Sequence, residues 1–209
     1  MNRTLMLVVL LLAGTSLAAQ RVLDKVVARV GEESIFATDV KAAIGLGIVE
    51  LGSAPDPESA ALTGLIDRRL MLREILRGGS PEPDQAAVDE EVQRMKSYAA
   101  TTLKSVMDAS GIDEQLLRRI ARDTLRIQLY LDMRFPRVEV SDDEAQQYYR
   151  ANPSAFRRNG VLMTFAQAGP SAHELAARDR RAARINQWLA GLARRTEVTR
   201  TDTPAALSR

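Results

Sequence analysis

VEVSDDEAQQYYRANPSAF, running from Val138 to Phe156, decides how the rest of the chain is read. Pro136 stops the helix before it, because a proline has no N–H to give the helical ladder. Ser141 with Glu144 three residues later forms an S-x-x-E capping box that opens a short charged helix, and Asn152-Pro153 closes that helix. The segment reads as a docking connector whose Tyr148-Tyr149 pair and Phe156 are its expected anchors, yet only 53 of the 209 residues follow it.

Upstream of the connector the pattern is mostly helical. Asp56-Pro57 supplies a cap and a proline at the first turn, and Gly78-Gly79 ends the helix between them. Its apolar positions Leu62, Leu65, Ile66, Leu70, Ile75 and Leu76 keep close to helical spacing, with Asp67, Arg68, Arg69 and Arg73 opposite. A third helix shows Val88, Val92 and Met95 on one face and Asp89, Glu90, Glu91 and Arg94 on the other. A fourth ends at Ser110-Gly111, and Asp113 caps a long fifth one reaching about Arg134. At the start, VLDKVVARVGEESIFA (Val22 to Ala37) holds two β-branched runs around Gly31, the pattern of a small hairpin, and Thr38-Asp39 is the expected cap of a first short helix through about Glu50. Downstream, Val161 to Phe165 is the expected strand, Ser171 the expected cap of a last helix carrying Leu175, Ile185, Trp188, Leu189 and Leu192, and TEVTRT (Thr196 to Thr201) alternates like a closing strand. The fold class expected is mainly α with a small β-sheet, an α+β arrangement.

Composition narrows the function. The first twenty residues, MNRTLMLVVLLLAGTSLAAQ, have a basic residue, an apolar run from Leu5 to Ala13 and small residues at Ser16 and Ala18, the pattern of a cleaved secretory signal over residues 1–19. The run is short of the roughly 20 residues that cross a bilayer, so a retained anchor is the lesser reading and no stable membrane insertion is expected after cleavage. With no cysteine the chain has neither disulfide nor thiolate. Of 29 basic residues 25 are arginine, but they alternate with acids along helices and aromatics make up only 4% of the chain, so no nucleic-acid surface is expected. His173 is the lone imidazole, without the partners a triad or a zinc site requires. Carboxylate runs such as Asp89-Glu90-Glu91 and Asp142-Asp143 read as wet helix faces and helix starts. Gly45-Leu46-Gly47 has no strand-turn-helix context for phosphate binding. No catalytic residue, cofactor or metal is therefore assigned.

VLDKVVARVGEESIFATDV, LIDRRLMLREIL, VDEEVQRM, VEVSDDEAQQYYRANPSAF and INQWLAGLARRTEVTR, in this order, resemble the SurA-type periplasmic chaperones, relatives of the trigger-factor chaperone. The resemblance covers about residues 22–156 and 182–200. It implies a peptide-binding module in which an N-terminal helical region (20–156) is completed by a C-terminal helix and strand (171–201), so that the N-terminal hairpin and TEVTRT share one sheet, before a tail at 202–209. In that family the connector leads into parvulin prolyl-isomerase domains. Here only the 14 residues from Arg157 to Pro170 stand in that place, and a single crossover between parallel strands takes about a dozen, so the isomerase domain is expected to be missing and the chain not to be an enzyme.

The resemblance implies a periplasmic holdase for unfolded or partly folded proteins, with outer-membrane protein precursors as the expected clients. The alternative is an interaction subunit whose groove takes one specific partner or forms an intertwined homodimer. Adaptable apolar surface suits either role, and methionine supplies it. Met95, Met107 and Met133, with Val161, Leu162, Met163 and Phe165 of the uncharged stretch GVLMTF, are the candidate peptide-binding residues. For each methionine a core position is the competing reading, and for GVLMTF a buried edge strand.

Overall fold

The computed structural model describes residues 24–79 and 81–201, so the leader and the C-terminal tail of the sequence reading lie outside the described residues. Strands β1 (Val26–Val30) and β2 (Glu33–Phe36) form the N-terminal hairpin, followed by helices α1 (Ala37–Gly45), α2 (Pro57–Gly78), α3 (Gln85–Ala99), α4 (Leu103–Ser110) and α5 (Glu114–Arg134). The connector contains α6 (Asp142–Ala151). A two-residue hairpin, β3 (Arg157–Arg158) and β4 (Val161–Leu162), leads into α7 (Phe165–Arg195) and β5 (Val198–Arg200). The class is mainly α with a small antiparallel sheet, as expected.

The two ends of the described chain meet in that sheet. Its order is β2-β1-β5, with Val30 opposite Val198 and Ala28 opposite Arg200. Gly31 N–H donates to the Glu197 carbonyl at 2.7 Å, and Thr201 N–H to the Val27 carbonyl at 2.9 Å. Val30, Ala28 and Ile35 turn inward onto Leu62, Leu65, Ile66 and Leu70 of α2, and Leu192 of α7 completes this part of the core. Helix α1 is a shared wall: Val40 and Ala43 face this cluster, while Ala42 and Leu46 face a second one built from Val88, Val92 and Met95 of α3 and Leu117 and Ala121 of α5.

Most predicted boundaries hold because their caps are local. Asp56 accepts from Glu58 and Ser59 N–H, Asp113 accepts from Leu116 N–H, and Gly111 takes a left-handed conformation after α4. Three expectations are corrected. Helix α1 begins at Ala37 and ends at Gly45, short of the expected Glu50, so Thr38 and Asp39 lie inside its first turn; the Asp39 carboxylate reaches back to accept from Phe36 N–H at 2.9 Å. The strand expected over Val161–Phe165 stops at Leu162 because Asn159 and Gly160, both at positive φ, fold Arg157–Leu162 into a tight hairpin. Helix α7 begins at Phe165, where the Gln167 side chain accepts from Thr164 N–H at 3.1 Å, and it runs on through Pro170 and Ser171.

The connector docks on the first half of α7. Phe156 is buried between Tyr148 and Tyr149, with ring centroids 6.3 and 5.2 Å away. Tyr148 OH donates to Asp179 at 2.5 Å, Tyr149 OH donates to the Met163 carbonyl, and Arg180 pairs with Glu144 at 2.5 Å. Helix α7 has 31 residues, about 46 Å at 1.5 Å per residue. It holds α6 on its N-terminal half and seals the main core with its C-terminal half.

Candidate functional site

A cleft of about 490 Å³ lies between α2, α5 and α7, within the size range of ligand pockets. Met71 of α2, Ile127 and Leu131 of α5, and Ile185 and Leu189 of α7 supply aliphatic walls, and Ile48 and Val49 of the α1–α2 segment close one end. Helical geometry produces this lining. Ile127 and Leu131, like Ile185 and Leu189, are four residues apart and share a face. Val49 approaches α2 closely enough that a Cβ on Gly64 would lie 2.9 Å from its own Cβ, so a residue without a side chain is needed at that contact.

Helix α7 is fixed across the cleft by an ion pair and an aromatic contact. Arg181 pairs with Asp132 at 2.6 Å and donates to the Phe135 carbonyl at 2.7 Å. One turn past the cleft residue Ile185, Trp188 packs against Tyr130 and Phe135 at centroid distances of 5.8 and 5.5 Å. Its buried Nε1 donor has no hydrogen-bond partner among the described residues. The sequence expectation that Ile185, Trp188, Leu189 and Leu192 all bury against the helical region is met in full by Leu192 alone, with Trp188 and Leu189 partly buried against the core. Ile185 and Leu189 stay partly exposed and line the cleft.

Two charged residues of α2 reach the cleft. Arg68 lies between it and a second cleft of about 310 Å³ bordered by Leu65, Leu72, Ile112, Leu116 and Ile120. Its guanidinium donates to Thr124 Oγ1 at 2.9 Å and the Ile120 carbonyl at 2.8 Å, but forms no ion pair with a carboxylate among the described residues. Burial draws its pKa down to about 10, with the more distant Asp123 and Glu91 acting the other way. Asp67 has neither an ion pair nor a hydrogen bond among the described residues. Burial pushes its carboxyl above the ordinary value, and Arg200, whose guanidinium donates to Thr63 Oγ1, only partly opposes this.

The seven candidate peptide-binding residues lie elsewhere, and none lines the cleft. Met95 is 0% exposed in the α1–α3–α5 core, which corrects its assignment to a binding surface. Met163 and Phe165 are half-buried against Tyr149 and Phe156, where they help hold the connector. Met107 is half-buried on α4. Met133, Val161 and Leu162 are exposed, at 61, 71 and 40%. The methionine that lines the cleft is Met71, which is not among those candidates. The signal for the true lining was the i, i+4 apolar pairs of α5 and α7, which alone do not distinguish a groove from a filled core.

His173 joins α7 to the connector, with Nδ1 2.9 Å from the Val140 carbonyl and Nε2 2.9 Å from Asp142. Among the described residues no helix is long and apolar enough to cross a membrane. No family model matches the chain, and no curated protein matches it.

Proposed function

We propose that this protein is an exported, periplasmic holdase that covers apolar segments of unfolded or partly folded polypeptides, outer-membrane protein precursors among them, without isomerising proline. The observation that carries the reading is the open aliphatic cleft between α2, α5 and α7. A concavity whose walls are aliphatic, with polar side chains such as Glu50, Thr124 and Gln128 between them, gains free energy by removing client side chains from water, at about 25 cal/mol per Å² of apolar surface covered, and it does so without a sequence code. Met71 adds a side chain that repacks readily. The joining of the N-terminal hairpin and the last strand in one sheet also supports the resemblance to SurA-type chaperones, which implied that closure. In that resemblance the domain between connector and closing helix carries the isomerase; here a six-residue hairpin and the first turns of α7 occupy its place.

The test is light scattering by a β-barrel protein diluted from urea. Substoichiometric to equimolar protein should suppress aggregation, and Ile185→Glu with Leu189→Glu should abolish the effect. Unchanged scattering at large molar excess refutes the proposal.

The second reading, an interaction subunit for one specific partner or a second copy, draws on Leu76 at the end of α2 and Met133 at the end of α5. These are 72 and 61% exposed and lie outside the cleft. Recovery of one stoichiometric protein instead of many unfolded ones would favour it.

A further inference from the structure

We infer that Asp67 and Arg68 hold the main chain of a bound, extended polypeptide, Asp67 accepting from a backbone N–H and Arg68 donating to a backbone carbonyl. The inference rests on the reading that the cleft takes unfolded chain, and names what in that chain is recognised. Of the other charged side chains near the cleft, Arg181 has Asp132 and the Phe135 carbonyl, Arg69 has Glu33 at 2.9 Å, and Glu50 stands exposed at the rim. Of the charged residues that line the cleft, Asp67 combines partial burial with no hydrogen bond among the described residues, and Arg68 combines burial with no carboxylate partner among them.

An acceptor and a donor left over in one apolar cleft select the ligand's chemistry. An anion would be drawn to Arg68 but repelled by Asp67 and by Glu50 at the rim, and a cation would meet the reverse. An uncharged group that offers both a donor and an acceptor suits the pair. The peptide unit is such a group, and it is the one part of an unfolded protein present whatever its sequence. Consecutive residues on a helix project about 100° apart, so the two groups meet the client at separate points and not as an internal pair. Scarcity of water moves both titrations toward the uncharged form, and the same scarcity strengthens a hydrogen bond made there. The aliphatic walls would then take side chains without choosing among them.

Fluorescence polarisation of the full mature chain with a labelled short peptide of alternating leucine and serine tests this against a depsipeptide twin, in which ester oxygens replace alternate amide N–H groups. The amide peptide should bind at least about tenfold tighter, the worth of a hydrogen bond to a charged group. In Asp67→Leu the two peptides should bind within about twofold of each other, because the acceptor that reads the N–H is gone. Arg68→Gln should weaken the amide peptide by about tenfold while Trp188 emission stays native. Equal binding of both peptides by the unaltered chain overturns the inference and leaves the cleft reading standing. Binding of neither overturns both. Full discrimination retained in Asp67→Leu overturns the role given to Asp67.

Discussion

Thr201 Oγ1 donates to the Val26 carbonyl at 3.0 Å across 175 residues of sequence. This bond and its neighbours make β5 the outer strand beside β1, whose inward residues Ala28 and Val30 are wholly buried. Such long-range closure costs loop entropy that grows only with the logarithm of loop length, so a three-residue strand suffices once Leu192 has brought α7 to the core. Ending the chain at Thr196 removes the bonds from Gly31 to Glu197 and from Thr201 to Val27 and Val26. At about 1 kcal/mol for each of these three, and with the β1–β5 ladder lost as well, the truncated protein should lose at least about 3 kcal/mol in urea unfolding. It should also aggregate more readily, because the buried β1 becomes an open edge. An unchanged urea midpoint would contradict this account of the closure.

Trp188 is a local reporter of α7 docking. Its indole contacts Tyr130 and Phe135 and carries a buried donor without an acceptor among the described residues. Emission should be blue-shifted in the native protein and move red on unfolding. Trp188→Ala should cost about 3–5 kcal/mol as a cavity opens under α7. Trp188→Phe should cost clearly less, because it keeps a ring against Tyr130 and Phe135 while removing the unpaired N–H. Equal losses in the two variants, measured by urea titration, would mean that the indole nitrogen has a partner.

What could be read from the sequence was what short-range chemistry fixes. Asp56, Asp113 and the Ser141/Glu144 box act within three residues, so helix ends were legible at those points. The two starts misplaced differ: at α1 Phe36 has no acceptor side chain, whereas at α7 Thr164-x-x-Gln167 is a capping-box pattern that competes with Pro170 and Ser171 a turn later. Asn159-Gly160 is a strong turn signal, but an apolar run beside it read as one longer strand. The cleft was not legible. Periodicity marks Ile127, Leu131, Ile185 and Leu189 as apolar faces, and only the positions of three helices determine whether such faces meet or leave a gap. Methionine content pointed to Met95 for its chemistry, whereas its spacing with Val88 and Val92 had already placed it in the core.

The docking of α6 on α7 should weaken in acid. Arg180, then the Ser141 backbone N–H, holds the Glu144 carboxyl at about 2, below its ordinary 4.5. A depressed carboxyl contributes stability above its unfolded value, and that contribution is lost as pH falls through the folded one. The window is therefore between about pH 4.5 and 2. Amide hydrogen exchange in α6 should quicken over this range in the unaltered protein, and Glu144→Gln should flatten the change while already exchanging faster at neutral pH. A profile in Glu144→Gln as steep as in the parent would assign the acid sensitivity to another group.

Asp67 gives the opposite sign. Its carboxyl is pushed above the ordinary 3.8 by burial, and Arg200 compensates only in part. For an acid raised on folding, the folded state binds its proton more tightly, so stability falls as pH rises through this range and stays reduced at neutral pH. Asp67→Asn should therefore raise the urea midpoint at pH 7 and leave it nearly unchanged near pH 3, where the parent carboxyl is itself protonated. If Asp67 served chiefly to draw Arg200 and β5 onto α2, the same change would lower the midpoint at pH 7, and the two outcomes are separated by one pair of titrations. A gain in stability with a loss of peptide binding would identify a residue kept at a cost to the fold, as binding sites commonly require.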